Sequence, residues 1–237
     1  MQVEDRLPRA LADVHDDAVV VEPRLTRGLG DELEHPLGLV RLELADLPKA
    51  RHVPLGDHEQ VDVGALRETP TLARHLHVPL QSGDDRVLRA MARRYTSDTY
   101  LRRLAGLDDF NLTSDVIVGF PGEDELAFRR TLRVVRLAQI TKVHVFPYSP
   151  RPGTRTADAD PVPAATKKER SALLRAASLE ACLEHWRSKL GTEDIVLVDR
   201  PGRGYEYDYS PWLLDAPVGE LVRVTAAAVS EEGILAA

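Results

Sequence analysis

Three short apolar runs, at residues 75–80, 112–118 and 142–146, each break into a polar loop rich in glycine or proline. Each run is too short for a stable helix and is bounded by turn residues, so each reads as a strand. After the first two, apolar side chains recur at helical spacing: Val87, Leu88 and Met91, then Leu126, Phe128, Leu132, Val135 and Leu137. A repeated strand, loop and helix predicts parallel strands joined by crossovers. Binding groups collect at the C-terminal ends of such strands, so the three loops are expected to face one pocket.

Flanking segments complete the expected architecture. Asp84 and Asp85 sit where a helix N-terminus favours carboxylates, and Thr96 or Ser97 caps the next helix. Thr166-Lys167-Lys168-Glu169 reads as a capping box opening a long helix to about residue 190, with Gly191 as its stop. Residues 195–198, 205–214, 221–229 and 233–235 read as short strands of a small barrel. Upstream, residues 37–44 read as a strand and 59–68 as a short helix, whereas 1–36 are interrupted by Pro8, Pro23 and Pro36. The expected fold class is α/β: a poorly defined acidic leader (1–36), a partial TIM-like (β/α) barrel (37–155), a linker and long helix (156–190) and a small all-β barrel (191–237). An incomplete barrel leaves a strand edge open, and residues 1–60 are the segment expected to cover it.

Charge narrows where a polyanion would dock. The 237 residues carry a formal charge of −7, which excludes a globally basic nucleic-acid binder. Residues 75–155, however, hold 13 Lys/Arg against 9 Asp/Glu, while 191–237 hold 3 against 9. A phosphate backbone is therefore expected on the motif-bearing middle. The sequence shows neither an apolar run long enough to span a membrane nor a signal-peptide pattern, so a cytoplasmic location without membrane contact is expected.

Cysteine and histidine set further bounds. The one cysteine, Cys182, excludes a disulfide framework and a cysteine cluster built from these residues alone, and it reads as a small core residue. His75 and His77, two apart, share a strand face and could bind a transition metal. No third ligand lies nearby in sequence, so hydrogen-bonded histidines are the simpler reading, with no metal ligand and no catalytic residue assigned.

The three loops also carry a resemblance. Pro79-Leu80-Gln81-Ser82-Gly83, then Asp115-x-Ile117-Val118-Gly119-Phe120-Pro121-Gly122-Glu123, then Val143-His144-Val145-Phe146-Pro147-Tyr148-Ser149-x-Arg151-x-Gly153-Thr154 resemble the later half of the radical S-adenosylmethionine (SAM) methylthiotransferases. The branch resembled thiomethylates adenosine 37 of tRNA. From residue 191 onward, the chain is similar in place and length to the family's RNA-binding TRAM barrel, where Tyr205, Tyr207, Tyr209 and Trp212 would either stack on bases or fill the core.

The resemblance implies S-adenosyl-L-methionine, a 4Fe-4S cluster held by a Cys-x3-Cys-x2-Cys loop, and tRNA as partner. It implies that Ile117, Val118 and Gly119 lie along the cofactor's adenosine and that Phe146, Pro147 and Tyr148 lie near its adenine. Gln81 and Ser82 offer hydrogen-bonding groups for ribose, methionine or substrate. Ser149 and Arg151 are assigned to the substrate, since a guanidinium holds phosphate or carboxylate in a fork. A threonylcarbamoyl-type adenosine is the favoured substrate. The three-cysteine loop does not occur in the sequence, which leaves three readings: an enzyme whose cluster ligands come from a cysteine-rich partner chain, a non-catalytic RNA-binding remnant, or a truncated product.

Overall fold

Strict alternation builds the first layer. Along Asn111–Val118, Leu112, Ser114, Val116 and Val118 point to a buried helical side, while Asn111, Thr113, Asp115 and Ile117 occupy the opposite face. The computed structural model describes residues 18–23, 40–41, 51–54, 63–68, 72–157, 159 and 161–237. In chain order these form β1 (Ala18–Pro23), β2 (Val40–Arg41), β3 (Arg51–Pro54), α1 (Val63–Glu68), β4 (Leu72–His77), α2 (Asp85–Ala90), α3 (Ser97–Leu104), β5 (Asn111–Val118), α4 (Glu125–Leu137), β6 (Lys142–Pro147) and α5 (Ala164–Arg187). Five strands follow: β7 (Glu193–Arg200), β8 (Arg203–Tyr205), β9 (Pro211–Leu213), β10 (Glu220–Ser230) and β11 (Gly233–Ala236).

The first sheet has the order β3-β1-β4-β5-β6. Its last three strands are parallel, as the repeated strand, loop and helix requires. The open edge of β4 is covered by β1, which pairs with it antiparallel and in turn pairs with β3. Part of the segment read as a leader thus forms a sheet strand. Of the strand expected at 37–44, the described residues are Val40 and Arg41 (β2), which pair with β10 in the second sheet. The other expectations for residues 1–62 lie outside the described residues.

One core lies between the parallel strands and their helices. Leu76, Leu80 and Val116 pack there against Leu88, Tyr100, Phe128, Val135 and Leu174. Two tyrosines satisfy their hydroxyls inside it, as burial demands. Tyr100 donates to the Val78 carbonyl at 2.8 Å, and Tyr95 to the Leu80 carbonyl at 3.2 Å. Burial pushes the Tyr100 phenol well above its ordinary value.

The second sheet closes on itself in the order β11-β9-β8-β7-β10, with β10 returning to β11. The five-stranded barrel encloses Val196, Trp212, Ala226 and Ile234 and is stoppered by Trp186 from α5. The single strand expected at 205–214 is two, β8 and β9, because residues 206–210 turn inward. Trp212 is fully buried and donates Nε1–H to Glu206 at 3.0 Å, so it is a core residue and presents no stacking face.

That inturned loop docks the barrel on the sheet. Asn111 donates from Nδ2 to the Asp208 carbonyl at 2.6 Å, and the Arg74 N–H donates to the Tyr207 carbonyl at 3.1 Å. The Tyr209 ring tilts against His75 at 5.2 Å between centroids. Below the loop, Lys189 bridges the carboxylates of Glu206 and Asp208, and His185 Nε2 lies 2.7 Å from Asp208 Oδ2. Burial and the charge of Asp208 push Glu206 up to about 9. Burial also opposes ionisation of Asp208, yet its contacts with His185 and Lys189 hold its carboxyl well below the usual range.

The expected capping box is absent. The helix begins at Ala164 behind an N-cap Pro163 that makes no side-chain cap bond, so Thr166 already lies within its first turn. Proline preceding the first turn starts the helix without a donor of its own. Among the described residues, no helix is long and apolar enough to cross a membrane.

Candidate functional site

The C-terminal ends of β4, β5 and β6 meet at one open cleft of about 480 Å³. Its wall includes Gln81, Ile117, Phe146, Pro147, Tyr148, Ser149 and Arg151, joined by Arg93 and Arg155. Seven of the ten residues read from the sequence thus line a single cavity, as three adjacent parallel strands dictate.

Backbone geometry places Gln81. Its φ of +62° lies in the left-handed region that side-chain-bearing residues rarely adopt. The conformation is held by a bridge to β5: the Gln81 N–H donates to the Asp115 carbonyl at 2.8 Å, and the Ile117 N–H donates to the Gln81 carbonyl at 2.9 Å. Such strain persists where surrounding bonds over-determine it and is concentrated at functional sites. Gly83 follows because a Cβ there would lie 2.5 Å from the Thr131 Cα on α4.

Ser82, Val118 and Gly119 do not line this cleft. Ser82 is fully buried, with Oγ 3.4 Å from Thr131 Oγ1 and accepting the Asp84 N–H at 3.2 Å. Val118 points to the helical side and belongs to the main core. Gly119 uses a positive φ of +79° to turn the chain, and its N–H donates to Glu123 Oε1 at 3.1 Å. All three therefore shape the loops from behind.

The loop support was not visible in the sequence. Glu123, almost fully buried, also accepts from Arg170 Nη1 at 2.5 Å, which ties the Gly-Phe-Pro-Gly-Glu turn to α5. Burial pushes the Glu123 carboxyl above its ordinary value, opposed by the Gly119 N–H and by Arg170. Lys167, one turn earlier, donates to the Tyr148 carbonyl at 2.7 Å. Tyr148 is fixed further by its hydroxyl on the Thr156 carbonyl at 2.8 Å and by an edge contact with Phe120. Arg155 reaches back to the Ala90 carbonyl at 3.1 Å. Phe146 remains half exposed at 51%, an aromatic face open to a ligand.

The same sheet face continues toward the barrel as a second cavity of about 730 Å³, bordered by His75, His77, Thr113 and His144. His75 and His77 do share a face: both reach Thr113 Oγ1, at 3.2 Å from His75 Nε2 and 3.0 Å from His77 Nδ1. Burial lowers the His144 imidazole below its ordinary value, aided by Lys142 and His77 and opposed by Asp115.

Cys182 is not a cluster ligand in waiting. Burial, with the charge of Asp208, pushes its thiol up to about 12, far from the thiolate that binds iron. Iron–sulfur clusters are held by several cysteine thiolates, so these 237 residues do not fit a 4Fe-4S cluster.

Comparison with known proteins agrees with the fold of the parallel sheet. The family profile described as the Radical SAM superfamily matches residues 56–135, which carry β4, β5 and most of α4. That segment is similar to the radical SAM domain. Two relatives define the branch. The threonylcarbamoyladenosine tRNA methylthiotransferase MtaB of Thermotoga maritima is 37% identical over 184 residues, covering 73% of this chain and 42% of the relative. The tRNA-2-methylthio-N(6)-dimethylallyladenosine synthase 1 of Mycobacterium marinum is 45% identical over 139 residues, covering 56% of this chain and 26% of the relative. The chain is thus a relative of the radical SAM tRNA methylthiotransferases and spans less than half the length of each of these two relatives.

Proposed function

We propose that this chain forms the cofactor-side wall and RNA-facing rim of a tRNA adenosine-37 methylthiotransferase, with a threonylcarbamoyl-type adenosine as substrate. The observation that carries the reading is the convergence of Gln81, Ile117, Phe146 and Arg151 on one cleft from three neighbouring strand ends. S-adenosyl-L-methionine, when bound, supplies the methyl group and the 5′-deoxyadenosyl fragment. Ile117 and Phe146 offer it apolar surface, and Gln81 offers an amide. Arg93, Arg151 and Arg155 turn the rim cationic, which suits a phosphate or the carboxylate of a modified base. The closed β-barrel is read as a TRAM-like module, and tRNA as the partner.

In this reading the 237 residues alone do not reduce or cleave the cofactor. Cluster thiolates come from cysteine-bearing sequence outside these residues, such as a partner chain. A second reading, RNA binding without catalysis, is favoured by the same cationic rim, which needs no cluster to hold phosphate.

Calorimetric titration with S-adenosylhomocysteine, a non-reactive analogue, tests the first reading. Saturable binding that weakens in Gln81→Ala and Phe146→Ala supports it; no binding by the folded chain overturns it. Titration with a tRNA anticodon stem-loop then tests the rim. Binding that is weakened by salt and by Arg151→Ala, in the absence of any analogue binding, selects the non-catalytic reading.

A further inference from the structure

We propose that His77, Asp115 and His144 form a binding site for a divalent transition-metal ion, separate from the cofactor cleft. The three residues come from three consecutive parallel strands, β4, β5 and β6. Register brings them together, since Asp115 pairs with His144 across β5 and β6 while His77 lies beside Thr113, one step back along the same face of β5. Their candidate ligand atoms all lie within 4.8 Å of one another.

Local geometry favours an ion over a simple ion pair. His77 Nε2 stands 3.4 Å from Asp115 Oδ1, long for a charge-assisted hydrogen bond, which runs about 2.7–2.9 Å. Two ligands about 2.0–2.1 Å from a tetrahedral metal are themselves roughly 3.4 Å apart. The His144 ring meets the His77 ring edge-on at 5.7 Å between centroids, so a small side-chain rotation closes the third corner. Sites on adjacent strands are held by backbone pairing, so little else has to move.

The surrounding shell matches a metal-binding histidine. His77 Nδ1 lies 3.0 Å from Thr113 Oγ1, and a proton on Nδ1 donated to that hydroxyl leaves the Nε2 lone pair directed at Asp115. A hydrogen bond on the far ring nitrogen is the usual outer-shell device that fixes tautomer and ring orientation. Thr113 Oγ1 is also 3.2 Å from His75 Nε2, which extends the network and gives His75 a positioning role.

Two imidazoles and a carboxylate form a borderline donor set suited to zinc, iron(II), cobalt(II) or nickel(II), rather than to calcium or magnesium. His77 and His144 border the larger cavity, so three protein ligands leave a position open to water or a small anion. An open fourth position is the arrangement of reactive metal sites rather than of closed structural ones.

Cobalt(II) and zinc(II) titrations of the tag-free chain test the site. The expected result is one equivalent of cobalt with visible d–d bands of a nitrogen- and oxygen-ligated ion, displaced by zinc. His144→Ala and Asp115→Asn should abolish the bands or weaken binding by roughly 10-fold or more, and Thr113→Val should weaken it by roughly 10–100-fold. Circular dichroism identifies any variant that fails to fold, and the more exposed His144 keeps the test usable if Asp115→Asn does. Cys182→Ser should leave the spectrum unchanged. Absence of stoichiometric binding, or binding indifferent to His144→Ala, would overturn the proposal.

Discussion

Lys167 Nζ donates to the Tyr148 carbonyl at 2.7 Å, and its methylene stem lies against Gly119. One side chain of α5 therefore rests on two of the three motif loops. A Cβ at position 119 would stand 2.6 Å from Lys167 Cγ, and the backbone there has φ +79°. Gly119→Ala is expected to cost about 1–3 kcal/mol from backbone strain alone. Pushing the Lys167 stem aside would also pull its ammonium off Tyr148 and open the cleft. Urea unfolding and analogue titration check both effects; a Gly119→Ala chain as stable and as tight-binding as the parent would show that the contact is dispensable.

The buried pair of Glu123 and Arg170 predicts an asymmetric pair of mutants. Both side chains are almost fully enclosed, so removing one leaves the other charge unpaired. Arg170→Met is expected to destabilise by about 3–5 kcal/mol, since Glu123 would keep only the Gly119 N–H. Glu123→Gln together with Arg170→Met should recover part of the loss, because a neutral amide is cheaper to bury than a carboxylate. A double-mutant cycle by chemical denaturation gives the coupling, and additive losses would contradict it.

Asp84 gives a pH dependence with a defined sign. Its carboxylate is fully buried at the N-cap of α2 and accepts from the Arg86 and Val87 N–H groups and, at 2.7 Å, from Arg130 Nη1. Burial, the largest influence, pushes the carboxyl up, but Arg130 and the two backbone donors together hold it below the ordinary 3.8. A depressed carboxyl contributes stability that is present above the unfolded value and is lost as the pH falls through the folded one. Asn is an equally good N-cap, so Asp84→Asn isolates the charge. The substitution is expected to cost about 1.5–3 kcal/mol at neutral pH, with the gap to the parent closing as the pH falls below 3.8. A constant gap across that range would rule the charge out as the cause.

The parallel strands and their loops were legible because local signals and tertiary packing agree there. Alternating or wholly apolar runs end in Gly/Pro turns, and adjacency of the three strands brings Gln81, Ile117 and Phe146 to one cleft. What sequence spacing does not encode is which side of a turn faces the ligand. Ser82 and Val118 are one step from cleft residues yet point into the core, since neighbouring strand positions face opposite sides. His144 and Asp115 escaped notice for a related reason: they lie 67 and 38 positions from His77 in the chain and meet only through strand register. The break at 206–210 was hidden by Tyr205, Tyr207 and Tyr209, whose strand-like alternation is overridden by the buried carboxyl groups of Glu206 and Asp208. Lys167 and Arg170 look like the solvated face of a helix until the loops they hold are in place.

Lys189 lies between two buried carboxyl groups, those of Glu206 and Asp208, at the seam of sheet and barrel. Burial disfavours its charge, but Asp208 and Glu206 more than compensate and raise its ammonium above the ordinary value. Lys189→Met keeps the stem and deletes the charge, leaving Glu206 and Asp208 to face each other with the Trp212 Nε1–H, the Ser210 N–H and His185 as their other partners. The expected loss is about 3–5 kcal/mol. It should be felt first where those carboxylates anchor the docking loop, through Asn111 on the Asp208 carbonyl and Glu206 on Trp212. Hydrogen exchange should accelerate at residues 206–213 while β5 and α4 stay protected, since their core lies on the other side of the sheet. Uniform acceleration across both cores would instead mean that sheet and barrel unfold as one cooperative unit, with Lys189 stabilising the whole rather than the seam.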